Sequence, residues 1–191
     1  MDREGEKAWM AVTVIGRDRP GIVAHVSGVL YHHRCSIEEL SQTVLRGQFA
    51  MILIASLGEG ASLPSLKNEF AELSRNIELD INLRELKSED LVPYPAGESE
   101  PFIITVRGED RPGLVFGITE VLAERGINIT NLGARVALLG QRSEYIQLFE
   151  VDIPKSLDYS LLKEKLRRRG EEMGVSVDLQ HKDIFRAINQ I

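Results

Sequence analysis

A short segment that occurs twice constrains the fold of this chain more than any other feature of the sequence. The residues Gly-Arg-Asp-Arg-Pro-Gly-Ile-Val at 16–23 return as Gly-Glu-Asp-Arg-Pro-Gly-Leu-Val at 108–115, a constant offset of 92 positions with six of the eight residues identical. An apolar run precedes each copy and an apolar stripe at helical spacing follows it. The segment therefore predicts a turn from a strand into a helix in each half of a duplicated chain.

The first half of the chain reads as strand, helix, strand, strand, helix, strand. The helices are predicted after Gly21 and after Ser62, because apolar residues recur there at helical spacing and Ser62 can cap the second helix. Apolar or alternating runs predict strands over 9–15, 36–45, 49–57 and 77–84. This order predicts an α+β, ferredoxin-like βαββαβ unit with an antiparallel four-stranded sheet.

The second half repeats the same plan. A helix follows Gly113 and ends near Gly126, and a second helix over 157–173 ends at Gly174. Phe49 aligns with Tyr145 at an offset of 96, so the second hairpin, with its turn at 139–143, carries an insertion of about four residues. The predicted strands cover 102–106, 127–138, 145–153 and 175–179.

The repeat predicts two domains, and the segments outside the repeat are expected to connect and end them. The residues between the repeats hold several prolines without hydrophobic periodicity, which is typical of a linker. The C-terminal residues Ile184, Phe185, Ile188 and Ile191 have helical spacing, so this tail is either a short docking helix or a frayed end. The predicted limits are 8–87 for the first domain, 88–100 for the linker, 101–182 for the second domain and 183–191 for the tail.

Composition and charge exclude several classes of protein. The formal net charge of −6 disfavours direct binding of nucleic acid, and the basic run at 167–169 is followed by Glu171 and Glu172, as on a solvated helix face. No apolar run is long enough to span a membrane. Cys35 is the single cysteine, so no internal disulfide can form and a reducing, cytoplasmic location is expected.

The repeated loop contains groups that suit either a capped turn or an anion site. Asp18 and Asp110 can accept amide protons at the helix start, and the prolines that follow them are expected in the first helical turn. Gly16 and Gly108 are expected to adopt a backbone conformation that a side chain would forbid, while Gly21 and Gly113 permit close approach to the backbone. The unpaired first-turn amides attract a carboxylate. A purely structural, well-capped turn remains the alternative.

These loops, the amphipathic helix after each one and the Gly-Ile-Asn-Ile sequence at 126–129 resemble the ACT domain over about 8–86 and 101–182. Two such domains in tandem look like the family of the glycine cleavage system transcriptional repressor. The resemblance implies regulatory domains that bind amino acids and pair side by side into an eight-stranded sheet. It also implies a ligand at the interface, between the first loop of one domain and the start of the second strand of its neighbour.

Carried over to this sequence, the resemblance implicates both loops and the starts of the two second strands. Asn128 comes from the Gly-Ile-Asn-Ile sequence, whereas the first half has Ser36 at the same position. If each loop faces the other domain, the Asp18 loop meets Asn128 and the Asp110 loop meets Ser36, so we expect two unequal sites of which the first is better. The implicated residues are Asp18, Arg19, Gly21, Ile22, Asp110, Arg111, Gly113, Leu114, Asn128 and Ser36.

Other chemistry has little support in the sequence. The histidines, at 25, 32, 33 and 181, do not have the spacing of a metal site, and no nucleophile or acid–base set recurs beside the loop. We therefore expect no metal, no cofactor and no catalysis. The leading hypothesis is a ligand-sensing regulator that is homo-oligomeric and acts through a protein partner. A structural or oligomerisation module without a metabolite is the alternative, and a small enzyme is disfavoured.

Overall fold

The computed structural model describes residues 8–92, 98–139 and 142–189. The chain divides after Val92 into two compact units, called here the first unit and the second unit. Two units agree with the duplication in the sequence. The domain and linker limits inferred from the repeat remain predictions.

The first unit has the predicted βαββαβ order. Its strands and helices are β1 (Trp9–Arg17), α1 (Ile22–His32), β2 (Ser36–Leu45), β3 (Gln48–Ser56), α2 (Leu63–Asn76) and β4 (Asp80–Leu86). The strands form an antiparallel sheet in the order β2-β3-β1-β4. The predicted cap of α2 is confirmed, because the Ser62 side chain accepts a hydrogen bond from the amide of Ser65.

The second unit repeats this topology. Its elements are β5 (Ser99–Gly108), α3 (Leu114–Ala123), β6 (Asn128–Leu139), β7 (Arg142–Pro154), α4 (Tyr159–Met173) and β8 (Val175–His181), followed by α5 (Lys182–Asn189). The sheet order is β6-β7-β5-β8, again antiparallel. The predicted stop of α4 is confirmed, since Gly174 caps it with a φ of 71°. Of the two alternatives left open for the tail, the structure has the helix, α5.

Each sheet packs its helices against one face, and the side chains of the central strands alternate accordingly. In β1 the residues Met10, Val12 and Val14 are fully buried in the core with residues of α1 and α2. The equivalent residues of β5 are Phe102, Ile104 and Val106, which lie in the core of the second unit. The opposite face of each sheet, called here the outer face, points away from this pair of helices.

One position of the two cores differs sharply. Met51 on β3 lies opposite Val14, and Gln147 on β7 lies opposite Val106 at the equivalent register. Gln147 is 0% exposed, and neither its amide nitrogen nor its amide oxygen has a hydrogen-bond partner among the described residues. The second unit therefore buries an unpaired amide where the first unit buries a thioether.

The fourth strand of the first unit begins later than its alternating pattern predicted. The prediction placed its start at residue 77, but Ile77 caps the end of α2 and its amide donates to Leu73. Glu78 then turns the chain with a φ of 46°. The error arose because Ile77 and Leu79 keep the spacing of a strand while the backbone between them completes the helix end.

The extra residues of the second hairpin lengthen its strands. The limits predicted for the turn, 139–143, are too wide, because β6 includes Leu139 and β7 begins at Arg142. The tip of this hairpin lies outside the described residues. The first hairpin turns through Arg46 and Gly47, whose φ values of 49° and 77° are typical of a two-residue turn.

The segment predicted as a linker over 88–100 contains regular structure at both ends. A short 3₁₀ helix covers Ser88–Leu91, and Ser99 already belongs to β5. Asp90 fixes the 3₁₀ turn by accepting a hydrogen bond from the amide of Lys87, and it also pairs with Arg84 at 3.2 Å. The absence of hydrophobic periodicity did not reveal these local contacts.

The second strand of each unit lies at a sheet edge and is poorly covered. Every residue of β2 is exposed. Leu40 and Val44 point to the helix side of the sheet and still expose 44% and 45% of their surface. Leu132 and Val136 of β6 are likewise 40% and 53% exposed. Apolar edge strands of this kind are available for pairing.

Candidate functional site

The two repeated loops have the same backbone conformation at the helix start. Gly21 is the residue that precedes α1, with a φ of 95°, and Gly113 precedes α3 with a φ of 93°. This left-handed region is easily accessible only to glycine. The backbone conformation therefore requires glycine at the second glycine position of each loop. This reason adds to the one that the sequence suggested, which is that glycine lets a ligand approach the backbone closely.

The predicted capping by aspartate is wrong in both loops. Among the described residues, no side chain caps α1 or α3, and the N-cap position belongs to Gly21 and Gly113. A side chain caps a helix from the N-cap position itself, whereas Asp18 and Asp110 lie three residues earlier. The carboxylates of Asp18 and Asp110 are exposed, and the helix amides remain without a side-chain acceptor.

The roles predicted for the prolines and for the first glycines also need correction. Pro20 and Pro112 precede the N-cap glycine, so they lie before the first helical turn. Gly16 and Gly108 have no left-handed backbone and belong to β1 and β5. Both positions are glycine because the start of the fourth strand of the unit leaves no room for a side chain.

A side chain at Gly16 or Gly108 would collide with the residue at the start of the fourth strand of its unit. This residue is Leu79, which directly precedes β4, or Val175, the first residue of β8. A Cβ atom on Gly16 would clash with the Leu79 side chain, and one on Gly108 would lie 2.6 Å from Cγ1 of Val175. The same close approach occurs in both units. It fixes the end of the first strand from which each loop starts.

The arginines of the loops lie against the ends of the second helices. Arg19 donates a hydrogen bond to the carbonyl of Ile77, the residue that caps α2. Arg111 pairs with Glu109 at 2.7 Å, and its guanidinium lies beside Gly174 at the end of α4. A cation at a helix C-terminus is favoured by the helix dipole. In the first unit this contact, together with a 2.9 Å hydrogen bond from the Asp18 amide to the Gly47 carbonyl, holds the loop in place.

Ile22 and Leu114 contribute differently from the other implicated residues. Their side chains are 3% and 4% exposed and belong to the two cores. Only their backbone amides, at the first position of each helix, are suited to meet a ligand. Their side chains anchor the start of the helix.

The two loops differ in what lies above the second glycine. The His25 ring lies 3.3 Å from the position that a Cβ on Gly21 would take, and His25 Nδ1 is 2.7 Å from the Gly21 carbonyl oxygen. Because a carbonyl only accepts, Nδ1 carries the hydrogen and donates it in this contact. No atom of the described residues lies within 4 Å of the equivalent position above Gly113. Sequence reasoning did not include His25 in the site, although its spacing of one helical turn from Gly21, and Gly117 at the same offset, signalled the difference.

Asn128 and Ser36 are placed at equivalent points of their own units. Asn128 begins β6 and lies opposite Asp152, and Ser36 begins β2 opposite Ser56. Each is the first residue of an edge strand. The pairing of the Asp18 loop with Asn128, and of the Asp110 loop with Ser36, joins residues of different units and stays a prediction.

The histidines at the end of α1 and the basic run on α4 form ion pairs and hydrogen bonds within their own units. His33 Nε2 lies 2.7 Å from Glu69, which links α1 to α2, and His32 is 3.9 Å from the same carboxylate. No group of three or more histidine, cysteine or acidic side chains among residues 8–92, 98–139 and 142–189 could hold a metal ion. The basic run on α4 is paired on the surface, with Arg167 2.9 Å from Glu171.

Cys35 occupies the position that corresponds to Ile127 in the second unit, and it packs as a small apolar residue. It is partly buried and packs against the core of the first unit. Burial raises the pKa of its thiol, and a hydrogen bond with the backbone of Gly58 lowers that pKa by a smaller amount. The neutral thiol is therefore favoured over the thiolate.

The geometry defines a class of protein: two ferredoxin-like units, each with a glycine-rich loop leading into an uncapped helix, as in regulatory domains that bind small ligands. The ACT domain model matches residues 9–84 and 100–180. The chain belongs to the ACT domain family. ACT domains are ligand-binding regulatory domains, and the family resemblance seen in the sequence is confirmed.

Relatives of known sequence correspond to about one half of the chain each. A UPF0237 protein of Methanopyrus kandleri is 38% identical over 90 residues, which cover 47% of this chain and 96% of that protein. A UPF0237 protein of Streptococcus pneumoniae is 37% identical over 73 residues, covering 38% of this chain and 83% of that protein. These relatives support a chain made of two copies of one domain.

Two solved structures match both units together. An unknown protein from Galdieria sulphuraria has a TM-score of 0.74 and 29% identity, covering 92% of this chain and 99% of that one. A protein provisionally named a glycine cleavage system transcriptional repressor has a TM-score of 0.68 and 17% identity, covering 92% and 98%. The second likeness shows the fold alone. No helix within the described part of the chain is long and apolar enough to cross a membrane.

Proposed function

We propose that this chain is a non-catalytic regulatory protein that binds an amino acid at the interface between its two ACT domains and signals to a protein partner in transcriptional or metabolic regulation. The observation that carries this proposal is the repeated helix start. In both units an αL glycine leads into a helix that no described side chain caps. Such a helix start offers backbone N–H groups and a positive dipole end to a ligand carboxylate.

The proposed ligand site uses one loop and one edge strand from different units. The exposed apolar residues of β2 and β6 support side-by-side pairing of ACT sheets, because they leave the edge strands ready to pair. In that arrangement the carboxylate of the amino acid meets the amides after Gly21, and the Asn128 side chain provides both a donor and an acceptor. Ser36 offers a single hydroxyl to the opposite site, so the site with Asn128 binds more tightly.

A thermal-shift experiment with the twenty amino acids tests this proposal. A ligand at about a hundred times its dissociation constant adds about 2.7 kcal/mol to the stability of the folded chain, which raises the melting temperature by several degrees. We expect one or a few amino acids to give such a shift at millimolar concentration. No shift with any of the twenty would exclude a free-amino-acid sensor and favour an oligomerisation module.

Variants at the two strand starts test the proposed geometry. Asn128→Ala should weaken binding more than Ser36→Ala, and Ser36→Asn should strengthen the second site because it introduces the residue of the first. Both positions begin an edge strand, so the variants form a matched pair. Equal effects of the two alanine variants would contradict the unequal sites.

A further inference from the structure

A groove between α3 and α4 of the second unit is lined mainly by charged side chains. Its volume is about 190 Å³, and its basic residues are Arg125, which follows the end of α3, and Lys165, Arg168 and Arg169 of α4. The three residues of α4 share one face of the helix because they are spaced three and four positions apart. The groove shares no residue with the proposed amino-acid site.

Three carboxylates line the same groove, and each of them is already paired with an arginine. The pairs are Glu120 with Arg169, Glu172 with Arg168 at 3.7 Å and with Arg169 at 3.4 Å, and Glu124 with Arg125 at 3.3 Å. Lys165 has no acidic partner within the described part of the chain. Four basic side chains therefore meet three carboxylates in this groove, and the lysine supplies the excess positive charge.

Arg125 also keeps part of its hydrogen-bonding capacity unused. Its side chain is only 16% exposed. Nη1 donates to the Val121 carbonyl at 2.7 Å and to Glu124 at 3.3 Å, whereas Nη2 and Nε have no acceptor among the described residues. A guanidinium holds its donors in a fixed planar fork, so the position of these two nitrogens is set by the bonds of the third.

The first unit shows what normally balances the charge at this place. His33 and Glu69 correspond to Arg125 and Lys165 at offsets of 92 and 96. In the first unit these two side chains contact each other, with His33 Nε2 2.7 Å from Glu69. The second unit thus has two cations where the first unit has a hydrogen-bonded pair. Because like charges repel, an anion between the two cations is favoured.

The rest of the two grooves differs in the same direction. The offset of 96 is supported by the buried leucines of the second helices, since Leu66 corresponds to Leu162. At this offset Glu72 corresponds to Arg168. The depression between α1 and α2 is lined by Glu69 and Glu72 and, among the described residues, by no lysine or arginine. The basic groove is therefore a property of the second unit alone.

We propose that the groove between α3 and α4 binds a small anion that carries a phosphate group. Guanidinium and ammonium groups are the side chains that bind phosphate in proteins. A phosphate monoester has three acceptor oxygens, which suit the three separate donors Arg125, Lys165 and Arg168, whereas a carboxylate has only two. Pockets for drug-sized ligands have volumes of about 300–1,000 Å³, so this smaller groove suits a small anion.

A titration followed by amide NMR chemical shifts tests the proposal. The 191-residue chain is titrated with inorganic phosphate and, separately, with glycerol 3-phosphate, at constant ionic strength so that screening does not change. We expect saturable shifts in the millimolar range that include the amides of Arg125 and Lys165. Tighter binding of glycerol 3-phosphate identifies a phosphorylated molecule as the ligand, and tighter binding of inorganic phosphate identifies the free anion.

A charge reversal at Lys165 separates the groove from a general effect of charge. Lys165→Glu introduces the residue of the first unit, lets Arg125 pair with a carboxylate, and should weaken phosphate binding at least tenfold without lowering the melting temperature. Lys67→Glu is the matched control, because Lys67 is an exposed lysine on α2 of the first unit and the substitution changes the net charge by the same amount. It should change the affinity by less than about twofold.

Lys165→Gln keeps the test decisive if Lys165→Glu fails to fold, because it removes the positive charge without adding a carboxylate. It should also weaken phosphate binding. The proposal would be overturned by the absence of saturable shifts with both phosphates, or by shifts that leave out the groove. Folded Lys165 variants that bind as tightly as the wild type, or an equal loss of affinity in Lys67→Glu, would overturn it as well.

Discussion

The imidazole of His25 lies over Gly21, with Nδ1 2.7 Å from the Gly21 carbonyl oxygen. The same carbonyl accepts the first helical hydrogen bond of α1, from the His25 amide at 2.9 Å. The equivalent glycine of the second unit, Gly113, has no neighbour within 4 Å at this position in the part of the chain that the structure describes. Two loops with nearly identical sequences therefore present different surfaces, and the difference comes from a residue outside the repeated segment.

The covering ring predicts different ligand selectivity for the two loops. His25→Ala removes the ring from above Gly21 and should let the first loop accept amino acids with larger side chains, as we also expect for the Gly113 loop. The measurement is the set of thermal shifts with glycine, alanine, valine and leucine for the wild type and the variant. Identical rankings of the four ligands would show that the ring does not restrict the site.

The left-handed backbone of Gly21 predicts that alanine substitutions at Gly21 and at Gly28 change the free energy of unfolding in opposite directions. Gly21→Ala forces a side chain to a φ of 95° and should destabilise the chain by about 1–2 kcal/mol. Gly28→Ala is the matched control, because Gly28 lies inside α1 with open space around its Cβ position, and it should stabilise the chain by about 0.5–1 kcal/mol. Urea denaturation measures both. A stabilising Gly21→Ala would contradict the assigned loop conformation.

The buried amide of Gln147 predicts that a polar-to-apolar exchange stabilises the second unit. Gln147→Met introduces the residue that the first unit has at this register and removes two unpaired polar atoms from the core. The free energy of unfolding should rise by about 1–3 kcal/mol. The reciprocal Met51→Gln should lower it by a similar amount. A destabilising Gln147→Met would contradict the absence of a hydrogen-bond partner for the buried Gln147 amide.

Burial of the Cys35 thiol predicts slow alkylation. Because the pKa of this thiol is raised, less thiolate is present at mildly alkaline pH than in a free cysteine. Iodoacetamide at pH 8 should therefore modify the native chain more slowly than the urea-unfolded chain, and mass spectrometry follows the rate. Equal rates would mean that Cys35 is fully accessible in the folded state.

The repeat made most of the fold predictable from the sequence. An offset of 92 residues aligned the elements before the second hairpin and an offset of about 96 aligned those after it, so the weaker signals of one half supported those of the other. Errors arose where local backbone geometry overrode a side-chain pattern. Ile77 continued an alternating pattern although it caps α2, and the longer second hairpin extended β6 and β7 at the expense of the turn.

The sequence predicted that each repeated loop leads into a specialised helix start, but it did not predict which residue is the N-cap or which groups the loop side chains contact. Glycine, aspartate and proline before a helical stripe indicated a specialised helix start, and both loops have one. Sequence alone could not assign Gly21 as the N-cap, since that depends on a φ angle. It also could not show that Arg19 reaches the end of α2, because Ile77 is distant in sequence and close only in the fold.

Calorimetric titration of the 191-residue chain with individual amino acids measures directly whether it binds an amino acid. We expect saturable binding of at least one amino acid at two unequal sites, and loss of the tighter site in Asn128→Ala. The absence of binding heat for all twenty amino acids at several temperatures would contradict the assignment of this chain as an amino-acid sensor.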